Sequence, residues 1–163
     1  MKHLTFVVGL FVLALAAFAL PVRAAPDAEF SCWNQALETL AKNGFSRVED
    51  VELDLFGRFR VDAPDADRID HELKLSGDGT RVLDRKRDGS IDEPADILPI
   101  EALRSALHWL RSRGYHDLEQ LSVDDGLIEI DARDASRRRV ELTLNPQDMQ
   151  IVALDARRFI DWD

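Results

Sequence analysis

The sequence predicts an α+β fold of two related units, each one helix packed on an antiparallel sheet of three to four strands. Three observations support this prediction: an internal repeat, two apolar helical stripes that stop at glycine, and alternating segments separated by turn residues. The repeat pairs 36–45 with 106–115 at an offset of 70, and then pairs 59–63 with 128–132 at an offset of 69. Because apolar positions stay in phase across the gap, the chain holds two copies of one motif.

A helix opens each unit. Apolar residues recur at helical spacing and share one face in both segments: Trp33, Leu37, Leu40 and Ala41 in the first, and Ile100, Leu103, Leu107 and Leu110 in the second. Gly44 and Gly114 follow these stripes, where a left-handed residue commonly ends a helix, and Pro99 suits the start of the second helix.

Segments of alternating polar and apolar residues follow each helix and predict strands with one solvent-exposed face. They are 51–55, 59–61 and 69–75 in the first unit, and 121–123, 128–132, 140–144 and 152–156 in the second. Turn residues separate them at Gly57, 77–79, 124–126 and 145–146.

The predicted organisation is a signal peptide at 1–24, unit one at 28–88, a linker at 89–94 and unit two at 95–160. Lys2, an apolar run from 4 to 20 and small residues before a cleavage point after Ala24 are typical of a secretory signal. An uncleaved membrane anchor is the alternative, since the run approaches the length of a membrane span. The polar run 84–94 is expected to be a solvated connection between the units.

Charge and cysteine content narrow the possible partners. The formal net charge is −10, and cleavage removes Lys2 and Arg23, which makes the remaining chain more acidic still. Nucleic acid is therefore disfavoured, whereas a basic partner or a divalent cation is compatible with the charge. Cys32 is the only cysteine, so an internal disulfide is impossible, and this thiol is either buried or available to a partner.

The second unit combines a helix that ends in Gly114-Tyr115 with the strand 128–132 and the segment 140–145, Val-Glu-Leu-Thr-Leu-Asn. In these features it resembles the PepSY domain. The first unit resembles it more weakly at 36–45 and 59–63. The resemblance implies two tandem PepSY-like units in a free-standing exported protein without catalytic activity. PepSY domains also occur in propeptides that restrain secreted metallopeptidases, which implies a peptidase as partner.

Catalytic and metal-binding signatures are absent from the sequence. His71, His108 and His116 form no HExxH pattern, and no nucleophile motif is present. His71 is interpreted as a half-buried strand residue. The segment 77–79 is interpreted as a hairpin turn, because it has neither the lysine of a P-loop nor the spacing of calcium ligands. We therefore expect no enzyme activity, no cofactor and no metal site.

Five residues are candidates for contact with a partner: Trp109, Tyr115, Arg137, Arg138 and Arg139. Trp109 lies off the apolar stripe of its helix, so it is expected to be exposed or at an interface, either between the two units or with a partner. The three arginines either protect a strand edge or form a docking patch for an acidic partner.

These observations lead to one hypothesis and one alternative. The hypothesis is a periplasmic or secreted, noncatalytic module that binds a protein and modulates or inhibits a peptidase, with no stable membrane insertion after signal cleavage. The alternative is an acidic cell-envelope sensor or scavenger of metal cations or a small ligand.

Overall fold

The computed structural model of the protein describes residues 26–90 and 94–156. The predicted signal peptide at 1–24 and Trp162 lie outside these residues. The elements, in chain order, are α1 (Pro26–Lys42), β1 (Arg47–Val48), β2 (Asp50–Leu53), β3 (Phe59–Pro64), β4 (Ile69–Leu75), β5 (Val82–Ser90), a 3₁₀ turn (Pro94–Asp96), β6 (Leu98–Pro99), α2 (Ile100–Ser112), β7 (His116–Asp124), β8 (Leu127–Arg133), β9 (Arg139–Leu144) and β10 (Ile151–Ala156).

The two predicted helices are confirmed, together with the glycines that end them. Gly44 and Gly114 have φ values of +90° and +77°, a conformation that a residue without Cβ adopts at little cost. The apolar stripe of α2 is buried at all four predicted positions. In α1 the inward face includes Ala36, whereas Ala41 is exposed.

The strands of both predicted units form one continuous antiparallel sheet of eight strands, which the sequence does not specify. Its order is β10-β9-β8-β7-β2-β3-β4-β5, and β1 pairs separately with β6. The central seam joins β2 to β7, with Val51 opposite Leu121. These two residues are also equivalent in the sequence repeat, 70 positions apart. Each half of the sheet therefore runs outward from the seam through four strands to an edge.

A single hydrophobic core lies between the sheet and the two helices. It contains Trp33, Leu37 and Leu40 from α1, Leu103 and Leu107 from α2, and the inward side chains of both halves of the sheet. The helices contact each other and both contact β7. Because all core residues lie on one side of the sheet, the opposite face is left to polar and charged side chains.

Three local expectations fail for reasons of tertiary structure. Residues 84–90, expected to be a solvated connection, belong instead to β5, which pairs with β4, although residues 84–89 are solvent-exposed as expected. Leu55, expected to continue β2, lies in the turn after it. All six residues of β10 are exposed, although their pattern predicts a strand with one buried face, because β10 is at the edge of the sheet.

Within the described residues, neither helix has the length and apolar character needed to cross a membrane.

Candidate binding surfaces

Trp109 is largely buried, so of the two expected settings, exposed or at an interface, the exposed one is wrong. Its side chain is 8% exposed. Its ring stacks on Tyr115 with centroids 5.8 Å apart, and the guanidinium of Arg113 lies 4.1 Å from the ring centroid. All three residues belong to the second unit. This stack covers the C-terminal end of α2, and it does not fill a space between the two units.

A groove of about 500 Å³ runs along the outer flank of α2, and Trp109 forms part of its floor. It is lined by Arg104, Ser105, His108, Trp109, Ser112, Arg113 and Met149. Met149 belongs to the turn that precedes β10, so the groove and this edge strand adjoin. We call this pair of features the β10–α2 surface.

The three candidate arginines do not lie on a sheet edge, because β9 is paired on both sides. Arg137 has a φ of +65° in the turn between β8 and β9. Arg138 forms an ion pair with Asp134 at 2.6 Å, and Arg139 reaches Glu119 at 2.7 Å. Two of the three therefore hold the turn and its strands together. A docking role for the three arginines remains a prediction.

The edges of the sheet differ in how they are protected. β5 carries five charged residues in a row, from Asp84 to Asp88, and two register irregularities against β4. Both features oppose pairing with another strand. β10 exposes Ile151, Val152 and Leu154 at 44%, 58% and 54%, carries a single charge and has one register irregularity against β9, between Ile151 and Ala153. Among the described residues, β10 is thus the edge that remains open to a further strand.

The sheet face away from the helices is acidic. Asp50 lies beside Asp62 on β3 and Ser122 on β7, and Ser122 in turn lies beside Glu129. Burial raises the pKa of Asp50 to about 6, against a hydrogen bond of 2.8 Å from Gln120 Nε2 that favours its charged form. Burial also raises the pKa of Asp62 and of Glu129.

This acidic face does not provide a metal centre in the described part of the chain. No group of three or more His, Cys, Asp or Glu side chains is placed there to hold an ion. Basic side chains cross the face as well, with Arg60 Nη1 3.3 Å from Glu52 and Lys86 3.8 Å from Glu72.

Two further residues with reactive side chains, His71 and Cys32, are packed against neighbouring residues of the fold. His71 is buried against Phe45, and its Nε2 lies 2.9 Å from Asp65 Oδ2 and 3.0 Å from Arg85. Cys32 is a partly buried free thiol whose pKa is raised by burial.

The comparison with protein families concerns the second unit. Residues 91–155 match the family model described as "Peptidase propeptide and YPEB domain". This segment is thus similar to the PepSY family. It spans α2 and β7 to β10 almost completely, which confirms the resemblance stated above for the second unit. The PepSY segment therefore includes all of the β10–α2 surface except Ala156, the last residue of β10.

No curated protein matches the chain. Among solved structures, a protein of Clostridium difficile 630 described as a lipoprotein is 14% identical, with 74% of this chain and 88% of that chain covered and a TM-score of 0.41. A TM-score this low does not establish a shared fold.

Proposed function

We propose that this protein is an exported, noncatalytic binding module that recognises a secreted peptidase through the β10–α2 surface. The open β10 edge is the observation that carries the proposal. An exposed edge presents unpaired backbone N–H and C=O groups, which an extended segment of another protein can pair with.

The apolar side chains of β10 add to this backbone recognition. Leu154 lies beside Leu142 of β9, and Ile151 lies beside Leu144. The side chains of these two β9 residues belong to the core, so Leu154 and Ile151 also point to the helix side of the sheet. They are therefore on the same side as the groove on α2. A partner strand paired with β10 would place alternate side chains over this groove, which supplies selectivity.

The partner class rests on the family that residues 91–155 match, whose description names peptidase propeptides. The first unit, which has the same order of one helix and four strands about the seam, is proposed to be a divergent second copy of this domain. Export rests on the signal-like residues 1–24. The cation-sensor alternative has no comparable support among the described residues.

The test uses the chain from Ala25 to Asp163 with a panel of purified secreted metallopeptidases, and measures residual peptidase activity and the Tm of the chain. We expect one peptidase to be inhibited and to raise the Tm. Leu154→Lys should weaken inhibition at least roughly tenfold, because lysine opposes strand pairing at an edge. Leu83→Lys is the matched control, since Leu83 is 50% exposed on the opposite edge strand.

Equal weakening by both variants would place the contact elsewhere, and the absence of any inhibition or Tm shift across the panel would reject a peptidase as partner. The Tm of each variant alone shows that it folds. A Tm shift with calcium, zinc or copper in place of a peptidase would instead support the cation-sensor alternative.

A further inference from the structure

Two large apolar side chains, Leu55 and Phe56, are exposed to solvent on the connection between β2 and β3. Leu55 is 102% exposed and Phe56 is 81% exposed, the two highest values among the exposed large hydrophobic residues of the described chain. We call the connection, residues 54–58, the hairpin tip. Neither side chain has a role in the core, so the fold does not account for their apolar character.

The hairpin tip is held in one conformation. Asp54 Oδ1 accepts hydrogen bonds from the backbone N–H groups of Phe56 at 2.8 Å and Arg58 at 2.9 Å, and Asp54 Oδ2 accepts from the Arg58 side chain. The carbonyl oxygen of Gly57 lies against Gly77, so close that a Cβ at residue 77 would clash. A surface held in this way loses little conformational entropy when it binds.

The second unit provides an internal comparison. Its connection between β7 and β8, residues 125–126, occupies the corresponding place and consists of Asp125 and Gly126. A connection without apolar side chains thus joins β7 to β8, in a hairpin that corresponds to the one between β2 and β3. The Leu55-Phe56 pair is therefore not a requirement of the turn.

Charge is distributed unequally between the two ends of the sheet. We call the end of the sheet at which β2, β4, β8 and β10 finish the tip end. It carries the connections 54–58, 76–81, 113–115 and 134–138. These hold five arginines against three aspartates: Arg58, Arg81, Arg113, Arg137 and Arg138, with Asp54, Asp78 and Asp134. The described connections at the opposite end hold one arginine, Arg68, against Asp65, Asp67, Asp96, Asp125 and Asp148. The starts of α1 and β7 and the ends of α2 and β8 add Asp27, Glu29, Asp117, Arg111 and Arg133, which brings the balance to seven arginines against six carboxylates. The tip end is thus the less acidic of the two ends and the one that would face an anionic surface.

The start of α1 lies at the same end. Asp27 pairs with Arg111 near the end of α2 at 2.7 Å, and Glu29 accepts hydrogen bonds from the backbone of Asp117 and Leu118 at the start of β7. The apolar run of residues 4–20 therefore connects to the folded part at the tip end.

We propose that the tip end docks on anionic lipid, with Leu55 and Phe56 entering the headgroup region. Interfacial binding combines burial of apolar side chains with attraction between basic residues and anionic lipids, and the tip end offers both. Docking at this end leaves the length of the β10 edge accessible to a protein partner. It is independent of the function proposed above, because it needs neither a peptidase nor the β10 edge.

The test is cosedimentation of the chain from Ala25 to Asp163 with phosphatidylcholine vesicles that contain phosphatidylglycerol. The packing described above lies entirely within residues 26–156, so this chain retains the folded core. The double variant Leu55→Ser/Phe56→Ser should lower the partition coefficient at least roughly tenfold. Ile151→Ser/Val152→Ser, a pair of exposed apolar residues at the start of β10 and so at the opposite end, should leave it within about twofold.

Salt and lipid composition provide the second readout. Binding should fall as ionic strength rises and should be weaker on phosphatidylcholine alone, because attraction to the arginines is screened or lost. Equal partitioning of the two double variants, or no binding of the unsubstituted chain, would overturn the proposal. In either case, peptidase inhibition that depends on the hairpin tip would assign Leu55 and Phe56 to a protein contact.

Discussion

Asp50 shows how one residue of a repeat acquires its properties from its neighbours. The sequence places a carboxylate beside the seam, but its burial depends on the approach of β7. Burial raises the pKa of Asp50 to about 6, whereas in the turn at Asp54 a hydrogen bond from the backbone of Arg58 lowers the carboxyl pKa. The pKa values of these two carboxyl groups, only four residues apart, are therefore shifted in opposite directions.

The pH dependence of stability follows from Asp50. Since its pKa is about 6 in the folded state and about 3.8 in the unfolded chain, the folded state binds the proton more tightly. The contribution of Asp50 to stability is therefore present below pH 4 and is lost as pH rises to about 6. Asp50→Asn should raise the free energy of unfolding at pH 7 by about 1–3 kcal/mol. Urea unfolding at pH 4 and pH 7 measures this change.

Asp54→Asn is the control for this prediction, because its pKa is shifted the other way. It should lower stability at pH 7 and have less effect at low pH. An Asp50→Asn variant that is less stable than the unsubstituted protein at pH 7 would show that the carboxylate is stabilised where it lies.

At the scale of elements, the turn between β4 and β5 is closely packed against α1. Gly79 has a φ of +72°, and a Cβ there would lie 2.5 Å from both Ala36 N and Cys32 O. Thr39 Oγ1 also donates a hydrogen bond to Gly79 O at 2.6 Å. This contact fixes the first helix over its half of the sheet. The predicted hairpin turn at 77–79 is confirmed, but its contact with the helix could not be predicted from the turn residues.

Gly79→Ala should therefore destabilise the protein by about 3 kcal/mol or more, because the added methyl group meets backbone atoms that cannot move away. Gly44→Ala is the matched control. Gly44 has a similar positive φ but nothing within 4 Å of the added Cβ, so the cost should be only about 1–2 kcal/mol. The difference between the two variants in thermal and urea unfolding isolates the packing contribution. Equal costs would mean that the turn can move away from α1.

At the scale of the whole molecule, the seam between β2 and β7 and the shared core should make both units unfold together. Trp33 is fully buried in the first unit and Trp109 largely buried in the second, so each reports on one half. In a Trp109→Phe/Trp162→Phe variant the fluorescence reports Trp33, and in a Trp33→Phe/Trp162→Phe variant it reports Trp109. We expect the fluorescence midpoint in urea to coincide with the circular dichroism midpoint in both variants.

Two separated midpoints in either variant would contradict this prediction and would indicate that each unit is stable alone. A common midpoint would indicate that the two units unfold as one cooperative structure. The seam explains this cooperativity, since β7 without β2 would be an edge strand with exposed backbone groups.

The sequence by itself determined the helices, most of the strands, their turns and the approximate place of a PepSY-like segment. These properties depend on local periodicity and on residues such as Gly44 and Gly114, which act within a few positions of the chain. Only the tertiary structure decided that the two halves share one sheet, that Trp109 is covered by Tyr115 and Arg113, and that β10, Leu55 and Phe56 stay exposed. Exposure depends on which distant elements pack against a residue, and an alternating or helical pattern does not specify those partners.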